Sequence, residues 1–198
     1  MENTSDKLTK IGVWTTIILF VIRCLPSASS LIDFWKNGEF FQLTYSVVGY
    51  LGEALAVGFV FVKLFDLWIW RWKIICKLHK TPVLAKTYRG KLLSDYDNKT
   101  YKGTISITQT FSKVNVKFKS NESSSYSITA SIICNNDVNQ LVYTYQNDPK
   151  VTIQERSRIH HGTAILNIDN VDKIEGTYFT ERGTAGNMTF SSVKEKKK

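Results

Sequence analysis

Two long apolar segments near the start of the chain constrain its fold more than any other feature. The first extends from Leu8 to Leu25 if the side chains of Lys10 and Arg23 reach toward the interfaces, and the second extends from Phe40 to Val62 with one charge, Glu53. As helices they measure about 27 Å and about 35 Å, enough to cross a thin and an ordinary bilayer respectively. We therefore predict two transmembrane helices.

The first span has an alternative interpretation as a cleaved signal peptide. Lys7 and Lys10 precede an apolar run of the appropriate length, and Ser27-Ala28-Ser29 resembles a cleavage site. The charges favour a membrane hairpin with an outward-facing loop, because the loop sums to −1 whereas residues 63–80 carry five basic side chains and one acidic one. Both termini are then cytoplasmic, which agrees with three cysteines that match no disulfide or zinc-site spacing.

Small residues line one side of the second span. Gly49, Gly52, Ala56 and Gly58 have spacings that let helices approach closely, although glycine is also common in transmembrane helices generally. Inserting the carboxylate of Glu53 costs about 2.5 to 3.5 kcal/mol, so it is expected to face a partner or water. We predict that Gly49, Gly52, Ala56 and Glu53 serve helix association, with neutralisation of Glu53 by protonation or by a partner inside the hairpin as the alternative.

The hydrophobic period changes after Thr81-Pro82 from helical to alternating. Eight short alternating runs predict antiparallel strands with one dry face and one wet face, and eight strands close naturally into an up-and-down β-barrel. An open sheet or a sandwich is the alternative. We predict a membrane α plus all-β fold, with two transmembrane helices and a basic connector in residues 1–80 and a cytoplasmic β-barrel in residues 81–198. The runs are 88–94, 104–111, 114–119, 126–132, 141–145, 162–168, 174–180 and 188–190.

Polar side chains occupy several inward positions of these strands. An arginine offers a planar fork to a phosphate, and tyrosine rings offer faces on which bases stack, so together they predict a ligand site. Each residue alone is equally explained by an interior partner or by water at the rim. The segment Thr180–Gly186 adds backbone donors for a phosphate, although an ordinary hairpin turn has the same composition. The predicted ligand-binding residues are Gln109, Tyr143, Tyr145, His160, Tyr178, Thr180 and Arg182.

Catalytic and metal-binding motifs are missing from the sequence. His160 and His161 are adjacent, so their side chains point to opposite faces of a strand, which is poor geometry for one metal ion. We find no HExxH pattern, nucleophile elbow, P-loop or GxGxxG motif. We therefore expect a binding protein without metal or cofactor rather than an enzyme.

The net charge of +9 is unevenly distributed. Residues 1–62 sum to −1, residues 63–102 to +7, residues 103–193 to zero and residues 194–198 to +3. The excess therefore lies on the connector and on the tail Lys196–Lys198, where it indicates orientation and attraction to anionic lipid. A neutral barrel argues against polymeric nucleic acid as a partner.

Three barrel motifs, together with the order of parts, resemble a known family. They are Gly103–Phe111, His160–Ala164 and Gly176–Gly186, and they follow two short apolar spans and a Trp-rich connector. The chain resembles the SMODS-associating two-transmembrane, β-strand-rich effectors of CBASS, the bacterial anti-phage systems that signal with cyclic oligonucleotides. In the membrane part of the chain, the resemblance is limited to the order of the segments and does not extend to sequence motifs.

The resemblance implies a receptor that acts at the bacterial inner membrane. In such systems a nucleotidyltransferase senses infection and makes a cyclic dinucleotide, which the cytoplasmic barrel binds. The protein then assembles into homo-oligomers, the membrane is disrupted, and the cell stops growing or dies before phage mature. The synthase is a functional partner that need not bind the effector.

Two other functions are compatible with the same residues. Eight strands also suit a membrane-anchored, lipocalin-like carrier of a hydrophobic ligand. The Ser/Thr-rich outer face suits a structural anchor whose barrel docks a protein partner.

Overall fold

The computed structural model describes residues 4–135, 138–155 and 157–193, so the tail Lys196–Lys198 lies outside the described residues. The chain divides into two compact units at the junction between Trp72 and Lys73. The first unit is helical, and the second contains a short α-helix, a 3-10 turn (Val151–Ile153) and the strands that the structure describes.

The first apolar segment continues beyond Leu25, where the sequence analysis ends it. Helix α1 (Thr4–Cys24) leads through a 3-10 turn (Leu25–Ser27) into α2 (Ala28–Lys36), which makes 33 residues of helical structure. Pro26 interrupts neither helix because it lies in the first turn of the 3-10 segment, where a missing N–H is tolerated. Helix α3 (Phe40–Leu67) contains the whole predicted second span. Both segments are long and apolar enough to cross a membrane.

Close contacts between α1 and α3 involve only part of the predicted small-residue stripe. A β-carbon on Gly58 would lie 2.8 Å from Oγ1 of Thr16, so this glycine allows α1 to approach. No other atom lies within 4 Å of the β-carbon position of Gly49 or Gly52, and Ala56 is exposed. Those three residues therefore face away from α1.

The predicted eight-stranded antiparallel up-and-down barrel is confirmed. The strands close in chain order, and β1 pairs with β8 from Tyr88 opposite Ser192 to Ser94 opposite Gly186. Short helix α4 (Lys73–His79) precedes them. The strands are β1 (Thr87–Ser94), β2 (Thr100–Gln109), β3 (Val114–Ser120), β4 (Ser123–Asn135), β5 (Val138–Pro149), β6 (His160–Asn167), β7 (Lys173–Thr180) and β8 (Ala185–Ser192).

The barrel is closed at the end where β1 begins. Residues 81–86 lie against this end, with Leu84 buried in the core and Lys86 accepting a backbone hydrogen bond from Ile107 at 2.9 Å. The hydroxyl of Tyr88 accepts from the N–H of Ala85 at 2.9 Å and donates to the carbonyl of Val171 at 2.7 Å. We call this the closed end, and the opposite end, which carries the loops after β1, β3, β5 and β7, the open end.

Alternate residues of the strands form a dry core above the closed end. Because side chains of a strand point alternately to its two faces, the aliphatic positions of each run lie inside together. The cavity described below lies between this apolar layer and the open end. The fully buried members are Tyr88, Ile105, Leu141, Ala164, Leu166, Ile168, Ile174 and Phe190.

Candidate functional site

A cavity lies inside the barrel toward its open end. Strands supply its wall from inward positions, while the loops after β1, β3, β5 and β7 supply its rim. The structure brings six of the seven predicted ligand residues together around this space. They are Tyr143 and Tyr145 of β5, His160 of β6, Tyr178 and Thr180 of β7, and Arg182 in the turn after β7.

Gln109, the seventh predicted ligand residue, does not line the cavity. Its side chain lies at the closed end, where Oε1 accepts a hydrogen bond from the N–H of Leu84 at 3.0 Å and Nε2 donates to the carbonyl of Pro82 at 2.9 Å. Strand alternation places the side chain of Gln109 inside the barrel. Because Gln109 is the last residue of β2, it lies at the closed end rather than beside the cavity. Its buried amide binds main-chain groups of the segment that closes the barrel.

Three tyrosines form the aromatic wall of the cavity. The ring centroids of Tyr143 and Tyr145 are 5.9 Å apart with the planes at 48°. Burial raises the pKa of both hydroxyls well above the ordinary value, and burial also raises the pKa of Tyr178. These side chains therefore stay neutral at physiological pH, offering ring faces and hydroxyl donors without a negative charge that would repel a phosphate.

Two of these tyrosines lie over glycines of the neighbouring strand. Tyr145 is paired directly with Gly162, where a β-carbon would lie 2.5 Å from the tyrosine Oη. Tyr178 is paired with Gly186, where a β-carbon would lie 2.6 Å from the tyrosine Cε1. The glycines of two of the sequence motifs thus give the rings their positions in the cavity wall.

Arg182 places a cation at the rim of this aromatic wall. The residue is exposed, and its Nη1 donates a hydrogen bond to Oγ of Ser157 at 3.2 Å. Ser157 belongs to the loop between β5 and β6, so this contact joins two loops of the open end. A guanidinium held in this way has further N–H donors for a phosphate oxygen.

The turn after β7 is an ordinary hairpin turn rather than a phosphate cradle. The N–H of Arg182 donates to Oγ1 of Thr180 at 3.3 Å, and the N–H of Gly183 donates to the carbonyl of Thr180 at 3.1 Å. Ala185 donates its N–H to the carboxylate of Asp95 at 2.8 Å. Gly183 has φ +73°, a left-handed backbone conformation that glycine adopts without strain, and this explains why a glycine occurs here. These three backbone donors are used inside the fold, so the side chain of Arg182 is what this segment offers to an anion.

The two adjacent histidines point in opposite directions, as strand geometry predicts. His160 lines the cavity, and its Nδ1 lies 2.9 Å from the carbonyl oxygen of Arg158, which requires a proton on Nδ1 and leaves Nε2 as an acceptor when the ring is neutral. His161 is exposed and contacts Glu181, whose pKa is lowered mainly by the hydrogen bond from the N–H of His161. Only His160 is available to a ligand in the cavity.

The loops supply cavity residues that the sequence analysis did not identify. Asp97 and Glu122 add carboxylates, and Tyr101 donates to Asp97 at 2.5 Å. A carboxylate beside aromatic rings can accept hydrogen bonds from the N–H groups of a ligand. Asp97 lies between β1 and β2, and nothing local in the sequence shows that this segment reaches the cavity. The other added lining residues are Leu92, Ser94, Tyr96, Phe118, Ser120, Ser123, Ser125, Asn147, Ile153, Ser157, Thr184 and Met188.

Comparison with known proteins assigns the barrel to a family. Residues 79–192 match the family model described as Cap15, cyclic dinucleotide receptor domain. This chain belongs to the Cap15 family. Two relatives named CD-NTase-associated protein 15 align over nearly the whole chain. The one from Staphylococcus schleiferi is 28% identical over 98% of this chain and 100% of its own length, and the one from Yersinia aleksiciae is 28% identical over 93% and 92%.

The Cap15 match contains both the cavity and the closed end of the barrel. It begins at the last residue of α4 and ends at the last residue of β8. The resemblance to CBASS effectors with two N-terminal apolar helices is thereby confirmed, and the barrel is the cyclic dinucleotide receptor domain of such an effector. A receptor domain binds its ligand, which agrees with the expectation of a binding protein.

An ion pair joins α1 and α3 in the helical unit of this Cap15-family chain. Nε of Arg23 donates to Oε2 of Glu53 at 2.7 Å, and the guanidinium lies 4.1 Å from the ring centroid of Tyr50. Glu53 thus has its partner on α1 of the same hairpin, which was the alternative interpretation of this carboxylate. Because helical structure continues past Leu25, Arg23 lies within the first apolar segment rather than at its end.

Proposed function

We propose that cyclic dinucleotide binding to the barrel drives assembly of the membrane hairpins of several copies and disrupts the bacterial inner membrane. The observation that carries this proposal is a rim arginine above neutral tyrosines, inside a Cap15 receptor barrel that follows two apolar helices. The outcome for the cell is abortive infection, in which growth stops before phage mature.

The cavity is chemically suited to a dianionic ligand with two bases. The guanidinium of Arg182 supplies a cation for a phosphate, and the hydrogen bond from its Nη1 to Ser157 positions it. Tyr143, Tyr145 and Tyr178 supply ring faces for stacking. The proposed ligand-binding residues are therefore Tyr143, Tyr145, His160, Tyr178, Thr180 and Arg182, without Gln109.

The proposed location is the inner membrane, with both termini and the barrel in the cytoplasm. Its support is the charge distribution, because residues 63–102 carry +7 and the loop between the apolar helices is slightly acidic. Two helical segments of 33 and 28 residues have the length and composition to span. Lipid is therefore the second partner of the chain, besides the nucleotide.

Assembly of several copies within the membrane is supported by the face of α3 that does not pack against α1. Gly49, Gly52 and Ala56 lie on the side of α3 that faces away from α1, where they permit another helix to approach. A ligand shifts such an equilibrium only if it binds more tightly to the assembled or assembly-competent state. We infer that the nucleotide favours the form of the barrel that allows these faces to meet.

The functional partner of the effector is a cyclic-nucleotide synthase. The relatives' names associate them with a CD-NTase, which supports a genetic link without requiring physical binding. We expect a gene for such a synthase beside the gene for this chain.

The proposal is tested with the full chain in detergent and in liposomes. Calorimetry against cyclic di-AMP, cyclic di-GMP and cyclic GMP-AMP is expected to show saturable binding of at least one of them. Each nucleotide that binds is expected to release dye from liposomes containing the chain, whereas nucleotides that do not bind release none. Nucleotide binding without dye release would support the receptor function but contradict membrane disruption.

A lipocalin-like carrier is the second candidate, since the cavity lies inside an eight-stranded barrel. Mass spectrometry of organic extracts distinguishes the two functions. A lipid bound in stoichiometric amounts would favour the carrier, whereas protein free of lipid that binds a nucleotide favours the effector.

A further inference from the structure

Three adjacent strands, β1, β2 and β3, present lysines on their outer face. Alternate residues of these strands, such as Ile105 and Phe118, are buried in the barrel core, so the residues between them point outward. Because β2 pairs with both β1 and β3, the outward lysines of the three strands lie on one continuous surface. We call this surface the lysine face. Its members are Lys91, Lys102, Lys117 and Lys119, and all four are exposed.

The positive charges of the lysine face are not neutralised within the fold. Lys91 and Lys102 are directly opposite each other in the β1–β2 ladder. Like charges in such a pair destabilise a sheet. Among the residues that the structure describes, none of the four lysines takes part in an ion pair. The fold therefore brings these charges together at a cost in stability, which an anionic partner would offset.

The zero net charge of residues 103–193 conceals this concentration, because the carboxylates of the barrel lie elsewhere. The outward positions of β1, β2 and β3 contain no aspartate or glutamate. In the turn after β1, Asp95 accepts a hydrogen bond from the N–H of Ala185 at 2.8 Å. On the opposite side of the barrel, Lys173 of β7 is paired with Glu175 at 2.6 Å. The lysine face is thus a local electropositive surface.

Apolar side chains border the lysine face on β4. Tyr126 is paired with Lys117 in the β3–β4 ladder and is 48% exposed, and Ile128 is 57% exposed. Basic residues beside a tyrosine and an aliphatic side chain suit the level of lipid headgroups. Binding of single-stranded nucleic acid relies instead on aromatic platforms, and the outward residues of β1, β2 and β3 include no aromatic side chain. These neighbours therefore favour lipid over a polynucleotide.

Chain connectivity keeps the lysine face near lipid. Residues 68–86 join β1 to α3, which is long and apolar enough to cross a membrane. A short connection raises the effective concentration of one binding partner around the other. Anionic phospholipids give the cytoplasmic leaflet a negative surface potential, which attracts basic residues within about 10 Å. Charge and connectivity thus select the same partner.

We propose that the lysine face binds the anionic headgroups of the inner leaflet and holds the β1–β3 side of the barrel against the membrane. The lysines act together as point charges, so the contact weakens as the ionic strength rises. The cavity is inside the barrel, so a nucleotide and the lipid occupy different surfaces. This inference rests on the proposed membrane location and names the barrel surface that contacts the lipid.

Quenching by a nitroxide on lipid headgroups tests the contact in the full chain. In a cysteine-free background, a fluorophore is attached to a single cysteine at position 106 of β2 or at position 177 of β7. Ser106, which pairs with Lys117, and Thr177 are both exposed. The liposomes contain phosphatidylcholine and the nitroxide lipid, with or without phosphatidylglycerol. Quenching is expected at position 106 with phosphatidylglycerol, and it should fall at high salt, whereas position 177 stays unquenched.

Two matched double variants distinguish the lysine face from the total charge of the chain. Lys91→Ser with Lys117→Ser removes two charges from the face, whereas Lys150→Ser with Lys173→Ser removes two exposed charges from the β5–β6 loop and from β7. The first variant is expected to lower the ratio of lipid-contacting to free barrels about tenfold or more, and the second should leave it within about twofold. Circular dichroism of both variants verifies the barrel fold.

The outcomes separate this inference from the proposed function. Quenching at position 106 that is equal on neutral and anionic liposomes, or that Lys91→Ser with Lys117→Ser leaves unchanged, overturns the lipid contact. DNA that the wild type binds and this variant does not, without quenching at position 106, also overturns it.

Dye release on adding nucleotide, without quenching at position 106, overturns the lipid contact and leaves the effector function standing. Quenching that depends on phosphatidylglycerol, without dye release, upholds the contact and contradicts membrane disruption. A chain that does not enter the liposomes and shows no quenching overturns both the contact and the proposed location.

Discussion

The phenol of Tyr145 lies over Gly162, its paired neighbour on β6. A β-carbon at position 162 would lie 2.5 Å from Oη and 2.6 Å from Cζ of the tyrosine, and 2.8 Å from the carbonyl oxygen of Phe179. Atoms in proteins do not approach so closely, so any side chain at position 162 must displace the ring. The glycine therefore determines the position of one wall of the cavity.

Gly162→Ala is expected to weaken nucleotide binding and to destabilise the barrel by about 1 to 3 kcal/mol, because overpacking moves both Tyr145 and β7. Calorimetry and thermal unfolding measure the two effects. In a Tyr145→Ala background the same substitution is expected to cause little further loss of binding. An equal loss in both backgrounds would show that the glycine does not act through Tyr145.

Arg182→Ala is expected to abolish the response to nucleotide while the barrel stays folded. The side chain is exposed, so its loss should change the free energy of unfolding by no more than about 0.5 kcal/mol. Arg89→Ala removes the same charge from an exposed outward position of β1 and is the matched control. Loss of the folded circular dichroism spectrum in Arg182→Ala alone would mean that this arginine is structural.

Gln109→Leu is expected to destabilise the barrel by about 1 to 3 kcal/mol, since the N–H of Leu84 and the carbonyl of Pro82 lose their partner. Nucleotide affinity should stay within about twofold, because position 109 lies outside the cavity. Gln146→Leu on the outer face of β5 controls for the change of residue type. A large loss of affinity with unchanged stability would restore Gln109 to the ligand site.

Alkaline pH is expected to unfold the barrel through its buried tyrosines. Burial raises the pKa of Tyr143 and Tyr145 in the folded state, whereas unfolded tyrosine ionises near pH 10. Their contribution to stability is therefore complete below about pH 10, and it falls by about 1.4 kcal/mol per pH unit for each tyrosine as the pH rises toward the folded pKa. Urea unfolding across this range measures the slope, and Tyr143→Phe should reduce it. An unchanged slope would mean that Tyr143 ionises equally in both states.

Glu53→Leu is expected to alter dye release from liposomes while leaving nucleotide binding intact. The substitution removes the carboxylate that pairs with Arg23, and placing that charge in the membrane without this partner costs about 2.5 to 3.5 kcal/mol. Exchanging the two residues, Arg23→Glu with Glu53→Arg, should restore release toward the wild-type level. Release that is unchanged in Glu53→Leu, or that the exchange fails to restore, would contradict a role for this pair.

Local patterns were sufficient for the architecture. The alternation in eight runs predicted the strands and their inward faces, and six of seven predicted ligand residues meet in one cavity. The depth of each residue was not predictable, because it depends on where a strand begins relative to its neighbours. Gln109 and Tyr145 are both inward, yet only the register of the closed barrel places one at the closed end and the other in the cavity.

The sequence by itself determined two apolar helices, an alternating eight-stranded barrel and a basic segment between them, since each follows from periodicity or composition within a short window. The tertiary structure alone decided the partner of Glu53, the glycines beneath the tyrosines and the carboxylates of the rim. These features join residues far apart in the chain, and their distances follow from how helices and strands pack, which no local pattern records.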